Sequence, residues 1–157
     1  MTTRDKAFEK ACKDHGLNPA EPLVVGGNYL PLAQDGSTLY LAGQIPKVGD
    51  KVIVTGKLGN PVTVPQGQIG ARICVLRGLI ALHQQLGSLD KVKRVLKLNV
   101  YIQCAPDFTL HSEVADGASD LLVSILGPAG AAPRLSVGCA QLPKNAAIEL
   151  DFIVSTS

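Results

Sequence analysis

The stretch Arg134-Leu135-Ser136-Val137-Gly138-Cys139-Ala140-Gln141-Leu142-Pro143-Lys144-Asn145-Ala146-Ala147-Ile148-Glu149-Leu150-Asp151-Phe152-Ile153-Val154 holds two runs of period two around a break. Leu135, Val137 and Cys139 alternate with Ser136, Gly138 and Ala140; Ile148, Leu150, Phe152 and Val154 alternate with Glu149, Asp151 and Ile153. Such alternation predicts two half-buried strands. Pro143 cannot donate to a ladder and Asn145 suits a turn, so Leu142 to Asn145 predicts the loop of a hairpin. With Gln141 facing Ala146, Gly138 falls opposite Glu149 and Ser136 opposite Asp151. That register sets Arg134, Ser136 and Glu149 on one face, with Gly138 leaving space before the Glu149 carboxylate. A guanidinium, a hydroxyl and a carboxylate above a floor of small residues suit the binding and hydrolysis of a small acid.

A chain of 157 residues matches one domain with a sizeable core. Its 46% hydrophobic and 18% charged residues place it among globular proteins, neither disordered nor membrane-embedded. No apolar run nears the roughly 20 residues of a spanning helix. The N-terminal residues Arg4, Asp5, Lys6, Glu9 and Lys10 are too charged for a signal peptide, so a cytoplasmic location is expected. The net charge of +2 is too small to call for a polyanion, and no nucleic-acid partner is expected.

Cys12, Cys74, Cys104 and Cys139 include no closely spaced pair, which argues against a zinc site or a disulfide scaffold. Cys74 and Cys139 read as buried free thiols. His15, His83 and His111 form no local metal motif, and no metal or organic cofactor is expected.

Ala7, Ala11 and Cys12, with Phe8 alongside, predict an amphipathic helix over residues 3–15, laid on the domain or on a partner subunit. Residues 1–22 then form a helix and a proline-stiffened linker, and 23–157 one domain. Strands are predicted over 29–33 and 38–42, joined through Gln34-Asp35-Gly36-Ser37, with a short one over 51–55. Gly56-Lys57-Leu58-Gly59-Asn60 lacks the spacing of a phosphate loop and reads as a plain surface loop. A long helix spans 66–86, its stripe formed by Ile69, Ile73, Leu76 and Ile80; His83 beside it reads as half-buried and hydrogen-bonded. A strand follows over 95–103, with Leu96, Leu98, Val100 and Ile102 on one face. Lys91, Lys93, Arg94 and Lys97 form the one basic cluster, and with only 4% aromatics to stack bases it reads as a solvated face. A second long helix runs over about 109–126, interrupted near Asp116-Gly117.

This order predicts an α+β fold: a mixed, mainly antiparallel sheet with two long helices on one face. The last strands carry mostly small groups on the other face, which predicts a closed homo-oligomer with ligand pockets where subunits meet.

Tyr29, Gly43-Gln44-Ile45-Pro46, Leu86-Gly87-Ser88-Leu89-Asp90-Lys91-Val92, Pro106-Asp107-Phe108, Pro133-Arg134-x-Ser136-Val137, Leu142-Pro143-Lys144 and Ile148-Glu149 form an ordered set. In it the chain resembles the YjgF/RidA family, also labelled endoribonuclease L-PSP, over about residues 24–154. The resemblance implies a chorismate-mutase-like fold assembled as a homotrimer with three clefts between subunits. It implies hydrolysis of reactive enamines and imines (2-aminoacrylate and 2-iminopropanoate type) to 2-oxo acids and ammonia. The family's carboxylate-binding arginine falls on Arg134, its water-activating glutamate on Glu149 and its cleft tyrosine on Tyr29. Ser136 stands where deaminases commonly have cysteine, and Ala42-Gly43-Gln44 where the family usually has Ser-Gly-Gln. The cleft asparagine has two candidate positions, Ser112 and Asp116.

Arginine is always charged, and its planar fork matches a carboxylate, so Arg134 suits anchoring. Glu149 can hold a water and take its proton during attack on a C=N carbon. Backbone groups near Gly43 or Cys139 can orient the nitrogen. Against this, Arg134 at a strand start can simply pair with a surface carboxylate, Glu149 with an interface cation, and Tyr29 can merely cap a strand. Ser136 has no histidine placed beside it and reads as a hydrogen-bonding group. A second function class remains, binding of a small carboxylate-bearing metabolite (a 2-oxo or amino acid) without turnover. Ribonuclease activity, which the older label suggests, finds little support in the residues.

Overall fold

Between the strand that begins at Arg134 and the one that begins at Ile148 lies a third. The computed structural model describes all of residues 1–157. Its helices are α1 (Thr3–Asp14), α2 (Val64–Leu86) and α3 (His111–Leu126). Its strands are β1 (Leu32–Asp35), β2 (Thr38–Leu41), β3 (Lys47–Val48), β4 (Lys51–Val52), β5 (Val92–Gln103), β6 (Arg134–Cys139) and β7 (Ile148–Thr156). The main sheet has the order β1-β2-β7-β5-β6, and β3 pairs with β4 apart from it. The expected α+β architecture, mainly antiparallel with long helices on one face, is the observed one.

The expected hairpin of β6 and β7 does not form. β5 pairs parallel with β6 and antiparallel with β7, so it separates them. Parallel neighbours need a crossover, and α3 supplies it. One buried side chain holds the segment that passes across the end of β5. Gln103, 2% exposed, accepts from Leu142 N–H at 2.7 Å and donates to Asn145 Oδ1 at 2.8 Å and Gly56 C=O at 2.9 Å.

Alternation along the strands sorts the two faces of the sheet. Ile148, Leu150, Phe152 and Val154 of β7 are buried beneath the helices; Glu149, Asp151 and Ile153 point the other way. β5 begins earlier than expected, at Val92, and carries irregularities between Val92 and Arg94 and between Val95 and Lys97. The second turns Val95 inward and leaves Leu96 39% exposed, reversing the placement expected for Leu96. The β1–β2 turn is likewise tighter than expected, with Asp35 opposite Thr38 and only Gly36-Ser37 between.

Helix boundaries follow their caps. The Thr63 side chain accepts from Gln66 N–H while the Gln66 side chain accepts from Thr63 N–H, starting α2 ahead of the expected residue 66. Gly87 ends it in the left-handed region, at φ 83°. Gly117, expected to interrupt the second helix, is a contact point instead. A Cβ there would lie 2.7 Å from the Gln68 carbonyl oxygen, so the missing side chain lets α3 approach α2. Gly78 does the same beneath the sheet, where a Cβ would sit 2.6 Å from the Phe152 ring.

α1 lies against α2 and α3 of its own chain, with Phe8 and Cys12 buried in the common core. Asp5 fastens it: the carboxylate accepts from Leu89 N–H at 2.9 Å and Ser88 Oγ at 2.7 Å, and His83 Nε2 lies 3.7 Å away. His83 also packs on Phe8, ring centroids 5.3 Å apart. Leu58, placed by sequence in a surface loop, is fully buried and bridges to Cys104. All four cysteines are free. Cys12 and Cys74 are buried, whereas Cys139, expected to be buried, is partly exposed. Burial pushes the Cys74 thiol well up and, with Glu9 nearby, the Cys12 thiol to about 12.

No helix covers the second face of the sheet, where Tyr40 and Val137 are exposed and Leu135 and Ile153 are half-buried. No helix is long and apolar enough to cross a membrane.

Candidate functional site

The segment Gly43-Gln44-Ile45 runs beside β7 and makes one side of a recess. Gln44 N–H donates to Leu150 C=O at 2.8 Å, and Leu150 N–H returns the bond to Gln44 C=O at 3.0 Å. This pairing brings Gly43 against Glu149, where a Cβ on Gly43 would lie 2.6 Å from Glu149 Oε1. The space that the sequence assigns to Gly138 is therefore made by Gly43. The recess measures about 470 Å³, and its polar lining includes Tyr29, Gln44, Lys47, Arg77, Lys144 and Glu149.

The Glu149 carboxylate has no ion-pair partner in the chain, and its oxygens remain reachable by solvent. Burial pushes its carboxyl above the ordinary value of 4.5, and the neighbouring Asp151 adds to the rise. Asp151 is held by Asn99, whose Nδ2 donates to Oδ1 at 2.7 Å. A half-buried carboxylate of raised basicity, open to solvent, can take a proton from water. Tyr29 lines the same recess; its side chain is 53% exposed and its Oη accepts from Gly26 N–H at 3.2 Å.

Arg134 lies elsewhere. It is level with Leu98, whose side chain is buried on the helix face, and its guanidinium turns toward α3. Nη1 donates to Asp116 Oδ1 at 2.9 Å and Ser119 Oγ at 3.0 Å, and Nη2 to Ser112 C=O at 3.4 Å. Both positions left open by sequence, Ser112 and Asp116, thus meet Arg134, one through its backbone and one through its carboxylate. Within one chain Arg134 is paired with a surface carboxylate.

Ser136 and Gly138 alternate onto the Arg134 side of β6, and Cys139 onto the side of Glu149. The shared face expected for Arg134, Ser136 and Glu149 does not exist in a single chain, because the hairpin that implied it is split by β5. A Cβ on Gly138 would meet His111 Nε2 at 2.7 Å and Cys104 Sγ at 2.8 Å, not Glu149. Cys139 contributes its carbonyl, which accepts from Cys104 N–H at 3.2 Å. No group of three or more His, Cys, Asp or Glu side chains converges as a metal site.

Two residues of the recess escaped the sequence reading, Arg77 and Lys47. Arg77 Nε donates to Gln44 Oε1 at 3.0 Å and Nη1 to Lys47 C=O at 3.1 Å. The available signal was a lone arginine inside the apolar run Val75-Leu76-Arg77-Gly78-Leu79, where a charge without a purpose is costly.

Comparison with known proteins agrees with this architecture. Protein TCP17 of Trypanosoma cruzi is 45% identical over 128 residues, 81% of this chain and 80% of that protein. The crystal structure of Atu1372 from Agrobacterium tumefaciens, of unknown function, superposes with a TM-score of 0.85 at 35% identity, covering 98% of this chain and 95% of that one. The crystal structure of E. coli TdcF with bound serine shares the fold at 22% identity, with a TM-score of 0.58 and coverage of 89% and 96%. The family described as "YjgF/chorismate_mutase-like, putative endoribonuclease" matches residues 10–154, and with this fold beneath the match the chain belongs to that family.

Proposed function

We propose that the protein hydrolyses reactive enamines and imines of small 2-amino acids to 2-oxo acids and ammonia, in clefts between the subunits of a homotrimer. The observation that carries this reading is Glu149: half-buried, without an ion-pair partner, raised in basicity, and set against the bare backbone of Gly43. In the reaction a water held by Glu149 attacks the C=N carbon as the carboxylate takes its proton. Glu149 hands that proton to the nitrogen, giving a carbinolamine, then carries the proton of the new hydroxyl to the same nitrogen, so that the C–N bond breaks, ammonia leaves and the carbonyl forms. Gly43 and its neighbours hold the nitrogen in place, and Tyr29 closes the recess.

The substrate's carboxylate is held by Arg134 of a neighbouring copy. Glu149 and Arg134 face opposite sides of their own sheet, so only a second chain can bring the two groups together. The uncovered face with Tyr40, Val137 and Ile153 is where we place that contact. Because Asp116 already occupies the guanidinium, ligand binding displaces it.

A second reading, binding of a small amino or 2-oxo acid without turnover, draws support from the serine bound to TdcF. One experiment separates the two. An imine generated in situ by an amino-acid oxidase is followed as it decays with and without the protein, while 2-oxobutanoate binding is measured in parallel. Faster decay that is lost in Glu149→Gln supports the hydrolase. Decay at the buffer rate with 2-oxobutanoate still bound supports the binding protein.

A further inference from the structure

Arg77 is a half-buried guanidinium that forms no ion pair. The three ion pairs of the chain are Lys10–Asp14, His83–Asp5 and Arg134–Asp116. Its two hydrogen-bond acceptors, Gln44 Oε1 and Lys47 C=O, are both neutral, and burial lowers its pKa below the ordinary value. Nη2 makes no bond within the chain, and since no buried side-chain nitrogen is left unsatisfied, Nη2 is open to solvent. Arg77 borders two recesses. In the one of about 550 Å³, Glu21 and Asp50 offset Arg77 and Lys47. In the Glu149 recess the cations Arg77, Lys47 and Lys144 face a single acid, so that space carries an excess of positive charge.

We infer that Arg77, assisted by Lys47, forms a second anion subsite in the Glu149 recess, and that the ligand is a dicarboxylate whose distal acid binds there. The inference rests on the recess being the ligand site, as proposed above. A planar fork held at Nε and Nη1 presents its remaining edge in a fixed direction, which suits a carboxylate better than a freely rotating ammonium would. A ligand that brings its own negative charge supplies the counter-charge that the chain omits. Glu149 stays free for the reacting carbon, because the guanidinium is bonded to Gln44 and forms no ion pair with Glu149.

The test compares two probes of equal chain length, 2-oxoglutarate and 2-oxopentanoate, by calorimetric titration at fixed ionic strength. The wild-type protein is expected to bind 2-oxoglutarate about tenfold or more tightly, the scale of one added charge-assisted pair. Arg77→Gln should erase that preference while holding 2-oxopentanoate affinity within about twofold. Lys47→Gln, which leaves intact the backbone carbonyl that Arg77 grips, should reduce the preference a few-fold without touching the fold. Equal affinity for the two acids in the wild type overturns the subsite. So does an Arg77→Gln protein that loses both acids alike, since that is the signature of a residue that only pins Gln44 and Lys47. A dicarboxylate preference with no imine hydrolysis would instead sink the proposed activity and leave the subsite standing.

Discussion

Glu149 and Arg134 flank the same strand from opposite sides, Glu149 level with Tyr101 of β5 and Arg134 level with Leu98, and their side chains leave the sheet by opposite faces. Each therefore works in a different environment. Glu149 sits in a recess rich in cations but bonded to none, while Arg134 is bonded on α3 to two side chains and a carbonyl.

Replacing Glu149 by Gln removes the proposed base and keeps the shape. We expect imine hydrolysis to fall by about 10²- to 10⁴-fold with 2-oxobutanoate binding retained. Since the base must be ionised, the wild-type rate should rise with pH along a limb centred above the ordinary glutamate value of 4.5. Stability has a definite sign as well. A carboxyl whose folded pKa is raised favours the folded state below its unfolded pKa, and that contribution is lost as pH rises through the folded value. Glu149→Gln should therefore melt at or above the wild-type temperature at pH 7, with the difference closing below about pH 4.5 by thermal scan.

Asp116 competes for Arg134. The Asp116→Asn protein should bind 2-oxobutanoate several-fold more tightly, and Arg134→Ala should lose that binding. The Asp116 carboxylate is about half exposed, so its loss should cost under about 1 kcal/mol in urea unfolding. Unchanged affinity in Asp116→Asn would mean that no ligand acid uses this guanidinium.

Gln103 is expected to be among the most sensitive polar positions in the chain. Gln103→Leu strands Leu142 N–H, the Asn145 side chain and Gly56 C=O around an apolar group. A loss of about 2–4 kcal/mol is expected, read as a lower urea midpoint at unchanged slope.

Asp5 supplies a pH-dependent clasp between α1 and the turn at Leu89. Burial opposes its ionisation, but the Leu89 N–H, the Ser88 and Thr2 hydroxyls and His83 together hold the carboxyl below its ordinary 3.8. A lowered folded pKa stabilises above the unfolded value and is lost as pH falls through the folded one. Asp5→Asn should cost about 1–2 kcal/mol at pH 7 and converge on the wild type below pH 3.8.

Elements governed by local rules could be read directly. The helical stripes of α2 and α3 and the alternation of β7 all follow from neighbours a few residues apart. The order of strands could not be read this way. Alternation reports which residues of one strand share a face, and says nothing about which strand lies next to it. Pro143 and Asn145 do make a turn, but Gln103, about forty residues earlier, decides where that turn delivers the chain. The site divides along the same line. Glu149, Gly43 and Tyr29 line one recess. Gly43 meets Glu149 only through the long-range Gln44–Leu150 pairing, and Arg77 reaches the recess from the middle of an apolar helix.

The sealed thiols of Cys12 and Cys74 give the folded chain a built-in stopwatch. With sulfur protonated and walled off beneath the helices, neither can be alkylated until the packing around it opens. Cys104 and Cys139 are partly accessible from the start. The lag between the first pair of labels and the second, read by mass, clocks how often this core comes apart.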